Sequence, residues 1–378
     1  MKMETSPYRN DEKGSAAPHR RRDIFYLFSG LLSILLSILF FIIIGFYKDG
    51  QNIPSEHLIG NKASSLKALK EKGFPFSFLV IGDTQNSNRA TSLIERALKE
   101  GDSSFMIILG DFVSYPDIRQ HLFFLKKMTG EIKPPLPVFL VPGNHDIDYG
   151  SKIKQSERRV TPEIYESLYG PKNFDFIFND CLFIICGIDA RNQASYLNYL
   201  RDTLSKKGVG KKNIFIFMHH PPRGVGIPAS FSLPNQEDFF SLLEGYKITT
   251  CFFGDYHGYW RGQRKGMNLI VSGGGGKIKS WQPQWGRFHH ILRITVDENT
   301  ISEGIIVIPG EVISLSGTLR KWTFIHFFPF IKDRGWILYF GVILFLSWGI
   351  YFVVCFVSFL KKRKGDEDKN FKDDKGGR

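Results

Sequence analysis

The sequence predicts an α/β domain carried between two membrane-spanning helices. Three observations support this. Short β-rich apolar runs alternate with helical patterns through the middle of the chain; two long uncharged runs flank that middle; and five of the inner runs end in polar residues. The 378 residues, 43% hydrophobic and 15% aromatic, suffice for one large or two ordinary domains and exclude disorder throughout.

Residues 1–23 read as a cytoplasmic tail, with six Lys/Arg against four Asp/Glu. Residues 24–47 follow without a charge, and at about 1.5 Å per residue they cover the roughly 30 Å hydrocarbon core. A secretory signal is the competing reading, because "RRR" at 20–22 precedes the run. The stretch exceeds the roughly 7–15 residues of a signal core, and "FYKDGQN" has no small-x-small cleavage site, so an uncleaved anchor is expected. Residues 336–360 form a second uncharged run, followed at once by "KKRK" and a basic tail at 361–378. Basic clusters outside both runs predict a two-pass protein with both termini cytoplasmic and the middle extracytoplasmic. Arg320, Lys321, Lys332 and Arg334 reduce the charge contrast at the second span.

Residues 48–73 read as a polar linker, 74–309 as the folded domain, and 310–335 as an aromatic segment beside the membrane, interrupted by Pro329. Within the domain, strands are expected at 74–81, 105–109, 137–141, 174–178, 181–189 and 213–218, and in the run before Gly254. Helices are expected near 90–100, 118–128, 161–170, 193–206 and 236–244. Runs beginning at Met267, His290 and Ile301 lie too close together for helical crossovers, which suggests antiparallel strands. Cys181 and Cys186 would sit ~16 Å apart along one strand, beyond disulfide reach, and with Cys251 and Cys355 they read as free thiols.

The strand ends are "IGDTQ" 81–85, "LGDFVS" 109–114, "PGNHD" 142–146, "FMHHPP" 217–222 and "FGDYHGYW" 253–260. In roughly parallel sheets such tips gather at the strands' carboxyl ends, where open α/β folds bind ligands. Singly, each reads as a turn or an Asx motif. In this order and spacing they are specific, and the chain resembles the calcineurin-like metallophosphoesterase family over about residues 74–309. The resemblance implies a four-layer α/β/β/α sandwich, flanked here by the two transmembrane helices, holding two divalent metal ions. It assigns Asp83, Gln85 and His257 to one metal, Asn144, His219 and Asp255 to the other, Asp111 as the bridge, and His145 as the acid beside them.

Two positions depart from the family pattern. Gln85 stands where most relatives have His, and Asp255 stands for the first His of Gly-His-x-His. The chemistry still suits those residue types, since two close cations can share a hydroxide and stabilise the attacking and leaving oxygens. An oxygen-rich ligand set favours Mn²⁺, with Fe, Zn or Mg as alternatives. In "HHPP", His219 fits the family's register for the ligand, and His220 then faces the other way to pack or touch substrate.

Other clusters carry less. "GGGG" at 273–276 lacks the Gly-Lys-Ser/Thr of a phosphate loop, His289 and His290 could pack on a sheet or line a pocket, and Arg261, Arg264 and Lys265 read as a solvated hairpin. Of the net charge of +13, +8 remains once both tails are removed; it is diffuse, and no nucleic-acid partner is expected. The expected activity is hydrolysis of phosphate mono- or diesters by a metal-bridging hydroxide, on a membrane-associated and possibly lipid-linked substrate. Two other readings remain: a phosphodiesterase of soluble nucleotides or cyclic nucleotides, and a binding module in which Gln85 and Asp255 record lost catalysis.

Overall fold

The structure is a computed structural model that describes residues 16–50, 57–150, 152–223, 233–279, 283–308, 314–332 and 335–375. Most of the N-terminal tail, residues 51–56 of the expected linker, and 310–313 and 333–334 of the aromatic segment lie outside the described residues, as do the last three. The chain divides into two compact units, one of residues 1–51 and 326–378, the other of 52–325.

In chain order, α1 (Ala16–Gly50) and the short α2 (Ala63–Lys67) precede β1 (Phe76–Ile81), α3 (Asn88–Lys99) and β2 (Phe105–Ile108). Next come α4 (Ile118–Lys126), β3 (Val138–Leu140), α5 (Pro162–Tyr169), β4 (Phe174–Phe178) and β5 (Cys181–Ile185). Then follow α6 (Ser195–Thr203), β6 (Asn213–Phe217), α7 (Gln236–Leu243), β7 (Thr250–Phe253), β8 (Tyr259–Arg264) and β9 (Met267–Ser272). The chain closes with β10 (His290–Val296), β11 (Ile301–Val307), α8 (Leu315–Trp322), α9 (Phe328–Lys332) and α10 (Trp336–Lys375).

In the first unit α1 and α10 pack along each other. Phe25 meets Phe352 edge-on at 6.3 Å, and Phe40 lies 5.6 Å from Phe345. Ile24–Gly45 and Trp336–Gly365 are each long and apolar enough to cross a membrane.

The second unit holds two sheets. One has the order β11-β10-β1-β2-β3, the other β4-β5-β6-β7-β9-β8. Strands β1, β2 and β3 are parallel, and β10 and β11 continue that sheet antiparallel. In the other sheet β5, β6, β7 and β9 are parallel. The antiparallel expectation thus holds for β10 and β11 but not for the pairing of β9 with β7. The edge strand β8 lies between them in sequence, and its hairpin reverses the chain twice. On that hairpin Arg261, Arg264 and Lys265 pair with Glu303, Glu237 and Glu244.

Alternation along the strands builds the layers. On β1, Phe76, Phe78 and Val80 face the opposite sheet, whereas Leu79 and Ile81 face α3 and α4. The middle layer is aromatic: Phe78, Phe105, Phe183, Phe215, Phe217 and Phe252 are all buried there. Leu182, Ile184, Ile214 and Ile216 on β5 and β6 pack against α6 and α7 on the far face. The result is the α/β/β/α sandwich. All four cysteines are free.

Residues 57–73 are built into this unit. Ile59 bridges to Val138, and the buried Asn61 amide exchanges hydrogen bonds with the backbone of Leu140 at 2.8 and 3.0 Å. Helix α8 belongs here too: Ser314 caps it through the Gly317 N–H, and beyond its end Phe324 packs on Phe123 at 5.4 Å.

Candidate metal centre

The sheets bring the polar strand ends to one edge, and the backbone there is unusual. Asp83, Gln85, Asp111, Asp255 and His257 all have positive φ, between 45° and 59°. This left-handed turn just past each strand aims the side chains into a common space instead of along the sheet. Hydrogen bonds hold the turns together: Asp83 N–H donates to Gly110 O and Gln85 N–H to Asp111 O, each at 3.0 Å. Close packing requires glycine at 110, φ 84°, and at 143, where a Cβ would fall 2.5 Å from His219 Nδ1 and 2.3 Å from Asp111 Oδ1 respectively.

Two groups of side chains converge, Asp83, Asp111 and His257 in one, His219, His220 and Asp255 in the other, with potential ligand atoms of each group within 4.8 Å of one another. Asp111 joins them, because its Oδ1 lies 3.3 Å from His219 Nε2. Asn144 Oδ1 is 3.1 Å from the same nitrogen. His219 Nδ1 donates to Leu109 O at 2.7 Å and His257 Nδ1 to Lys277 O at 3.1 Å, so both rings turn Nε2 toward the centre. His145 Nδ1 is held by Ser114 O at 2.7 Å, and its Nε2 sits 3.8 Å from Asp111 Oδ2.

The electrostatics are those of a buried acid cluster. Burial raises the Asp83 carboxyl well above the usual range, and Asp111 and Asp255 add to the rise. Burial would also raise Asp111, yet His219 and His145 outweigh it and hold that carboxyl low. Burial opposes a charge on His219, but the Asp111, Asp83 and Asp255 carboxylates lift its pKa well above the ordinary histidine value. Asp83 Oδ1 and Gln85 Oε1 are buried without a hydrogen-bond partner. Orphaned oxygens beside mutually repelling carboxylates fit divalent cations as the missing partners. Divalent metals at the two groups would engage Asp83, Gln85, Asp111 and His257 on one side and Asn144, His219, Asp255 and Asp111 on the other.

Asp83, Asp111, Asn144, His145, His219, Asp255 and His257 are brought together in this centre, and Gln85 is tied to the same loops by its N–H bond to Asp111 O. His220 also lies within its second group, although the strand alternation pointed it away. Sequence reasoning missed two supports. Buried Asp146 accepts the N–H groups of Asp111 and Gly143, both at 2.7 Å, and that of Val113 at 3.3 Å. It closes "PGNHD", so its place in the motif was the available signal. Lys321 on α8 donates to Gln85 O at 3.1 Å, and nothing local in the sequence announces a contact 236 residues distant.

Residues 76–259 match the family model described as calcineurin-like phosphoesterase. A curated relative, the DNA polymerase II small subunit of Methanothermobacter thermautotrophicus, is 26% identical over 100 residues, which are 23% of this chain and 20% of the relative. The chain thus spans about a fifth of that relative's length. The purple acid phosphatase PPD1 from yellow lupin superposes with a TM-score of 0.50 at 16% identity, covering 64% of this chain and 53% of that one. A dimetal phosphatase from Danio rerio aligns with a TM-score of 0.47 at 15% identity, covering 61% and 95%.

Proposed function

From a chain that carries a calcineurin-like phosphoesterase domain, a metal-dependent phosphoesterase, with two side-chain groups suited to divalent cations, we propose hydrolysis of phosphate mono- or diesters of a membrane-associated substrate. The observation that supports this most directly is Asp111, which groups with Asp83 and His257 on one side and lies 3.3 Å from His219 on the other. One carboxylate in that place can serve two cations at once.

When bound, the cations supply a nucleophile from water at neutral pH and neutralise charge on the phosphoryl oxygens. The remaining work belongs to the chain. Asp111 and Asp255 fix the spacing of the two groups, and the His219 and His257 tautomers are set by their backbone partners. His145, partly exposed with its Nδ1 proton engaged by Ser114 O, is placed to donate from Nε2, as imidazolium, to the departing oxygen. The acid-rich ligand set with the Gln85 amide favours Mn²⁺ or Mg²⁺ over Zn²⁺. Helices α1 and α10 retain the domain at a bilayer, with both termini cytoplasmic and the domain outside.

Metal content of the purified chain, measured alongside turnover of p-nitrophenyl and bis-p-nitrophenyl phosphate, tests the reading. Two bound divalent ions with Mn²⁺-supported turnover are expected. Absence of both metal and turnover would instead indicate a binding module.

A further inference from the structure

Gln85 is held in the metal loops through its backbone. Its φ is 45°, and Asp83 and Asn86 beside it both sit at 54°, so three of the four residues 83–86 keep a left-handed conformation that costs free energy. Hydrogen bonds must maintain that turn. The Gln85 and Asn86 N–H groups donate to Asp111 O and Phe112 O at 3.0 and 2.9 Å. The Gln85 carbonyl accepts from two further places, Ser114 Oγ at 3.3 Å and Nζ of the half-buried Lys321 at 3.1 Å. A bond from an ammonium is the stronger kind. Lys321 comes from α8, beyond the last strand of the unit, and that helix is fastened close by. Gly317 is pressed on Asn88, where a Cβ would fall 2.6 Å from Oδ1, and Arg320 pairs with Glu131 at 3.2 Å. Past the end of the helix Phe324 packs on Phe123, and Ile325 is buried.

An imidazole ligand is oriented through its second ring nitrogen, as His219 and His257 are by Leu109 O and Lys277 O. An amide ligand has no second ring nitrogen to be held by, and Gln85 Oε1 is buried without a hydrogen-bond partner, so its aim depends on the backbone that carries it. We propose that Lys321 is a positioning residue for a cation held by Asp83, Gln85, Asp111 and His257: its ammonium fixes the Gln85 carbonyl, and with it the direction of the Gln85 side chain. This rests on the reading of the two side-chain groups as divalent-cation sites, and it extends the centre to a helix that belongs to neither sheet nor crossover.

The test is Mn²⁺ binding to the full-length protein purified in detergent, with free Mn²⁺ read by electron paramagnetic resonance. Two sites are expected. Lys321→Met should weaken one of them about tenfold or more and leave the other within about threefold, and Lys321→Arg should recover part of the loss. Arg320→Met, which loosens α8 at Glu131 and keeps the bond to Gln85, should change neither site. In a Gln85→Ala background, where no side chain remains to be aimed, Lys321→Met should add nothing. Unchanged or tighter binding in Lys321→Met overturns the proposal, tighter binding assigning the lysine to simple repulsion of the cation. An equal loss in Arg320→Met or in the Gln85→Ala background overturns it as well, by making the effect one of helix packing. So does loss of the fold in Lys321→Met, read by circular dichroism, or a parent chain that binds no Mn²⁺. Binding needs no turnover, so p-nitrophenyl phosphate hydrolysis with Mn²⁺ affinities indifferent to Lys321 sinks this inference alone, whereas a Lys321-dependent site without hydrolysis sinks only the enzyme reading.

Discussion

The main-chain N–H of Asp255 donates to Oδ2 of Asp83 at 2.9 Å, joining strand ends 172 residues apart. Asp83 and Asp255 fall in the two different ligand groups, so this bond sets the distance between them. Asp255→Ala is expected to lose one bound metal and at least ~100-fold in kcat, more than the loss typical of an outer-shell change. Asp255→His should keep partial activity with its preference moved toward Zn²⁺. Full activity and two metals in Asp255→Ala would reduce the carboxylate to a turn residue.

Asp146 gives its carboxylate to three backbone donors at the metal loops. Asp146→Asn keeps the shape but turns an NH₂ group toward N–H donors. A loss of about 2–3 kcal/mol is expected in denaturant unfolding, with weaker metal binding besides. An unchanged midpoint would mean that the loops hold without it.

Stability should fall in mild acid because of His121. It is fully buried, its Nδ1 lies 3.1 Å from the Tyr169 hydroxyl, and burial pushes its pKa from 6.5 to about 3. Burial likewise brings His290 down to about 4. Between these values and 6.5 the unfolded chain binds protons that the folded chain refuses. The stability is therefore complete above pH 6.5 and declines as pH falls, by up to about 1.4 kcal/mol per pH unit for each histidine. His121→Asn should flatten the melting profile between pH 6 and 4, and an unaltered slope would clear His121 of the effect.

The aromatic layer between the sheets should dominate stability. Phe78 is fully buried, stacks on Phe105 at 5.2 Å and meets Phe183 and Phe215 edge-on at 5.4 Å. Phe78→Ala is expected to cost about 3–5 kcal/mol, read from urea unfolding. A loss below 1 kcal/mol would show that the layer collapses around the gap.

The topology can be read by labelling single cysteines introduced at exposed positions between 58 and 308. Impermeant reagents should reach them from the extracytoplasmic side of intact cells. Reaction only after permeabilisation would reverse the orientation.

Much of the site was legible because its residues sit in the first positions after strands, where apolar runs such as 105–109 give way to a glycine and a carboxylate, Gly110 and Asp111. Local pattern carries that far. It could not show that Ile59 and Asn61 complete an edge of the first sheet, since a single bridge and one buried amide leave no periodicity. Nor could it place Lys321, whose basic, aromatic-rich surroundings read as membrane-facing, or separate His220 from His219, because alternation lapses once the strand has ended. The parallel pairing of β9 with β7 was hidden by the short hairpin between them.

The positive φ angles at Asp83, Gln85, Asp111, Asp255 and His257 bear on the lifetime of the chain as well as its chemistry. Each such residue holds on the order of 1 kcal/mol of backbone strain, which the Phe-rich layer must offset before any cation arrives. A cation that binds only the folded chain adds RT ln(1 + [M]/Kd) to its stability. Divalent cations held by these groups would thus act as folding partners as well as reagents, and their removal is expected to raise the chain's susceptibility to proteolysis as well as to end turnover.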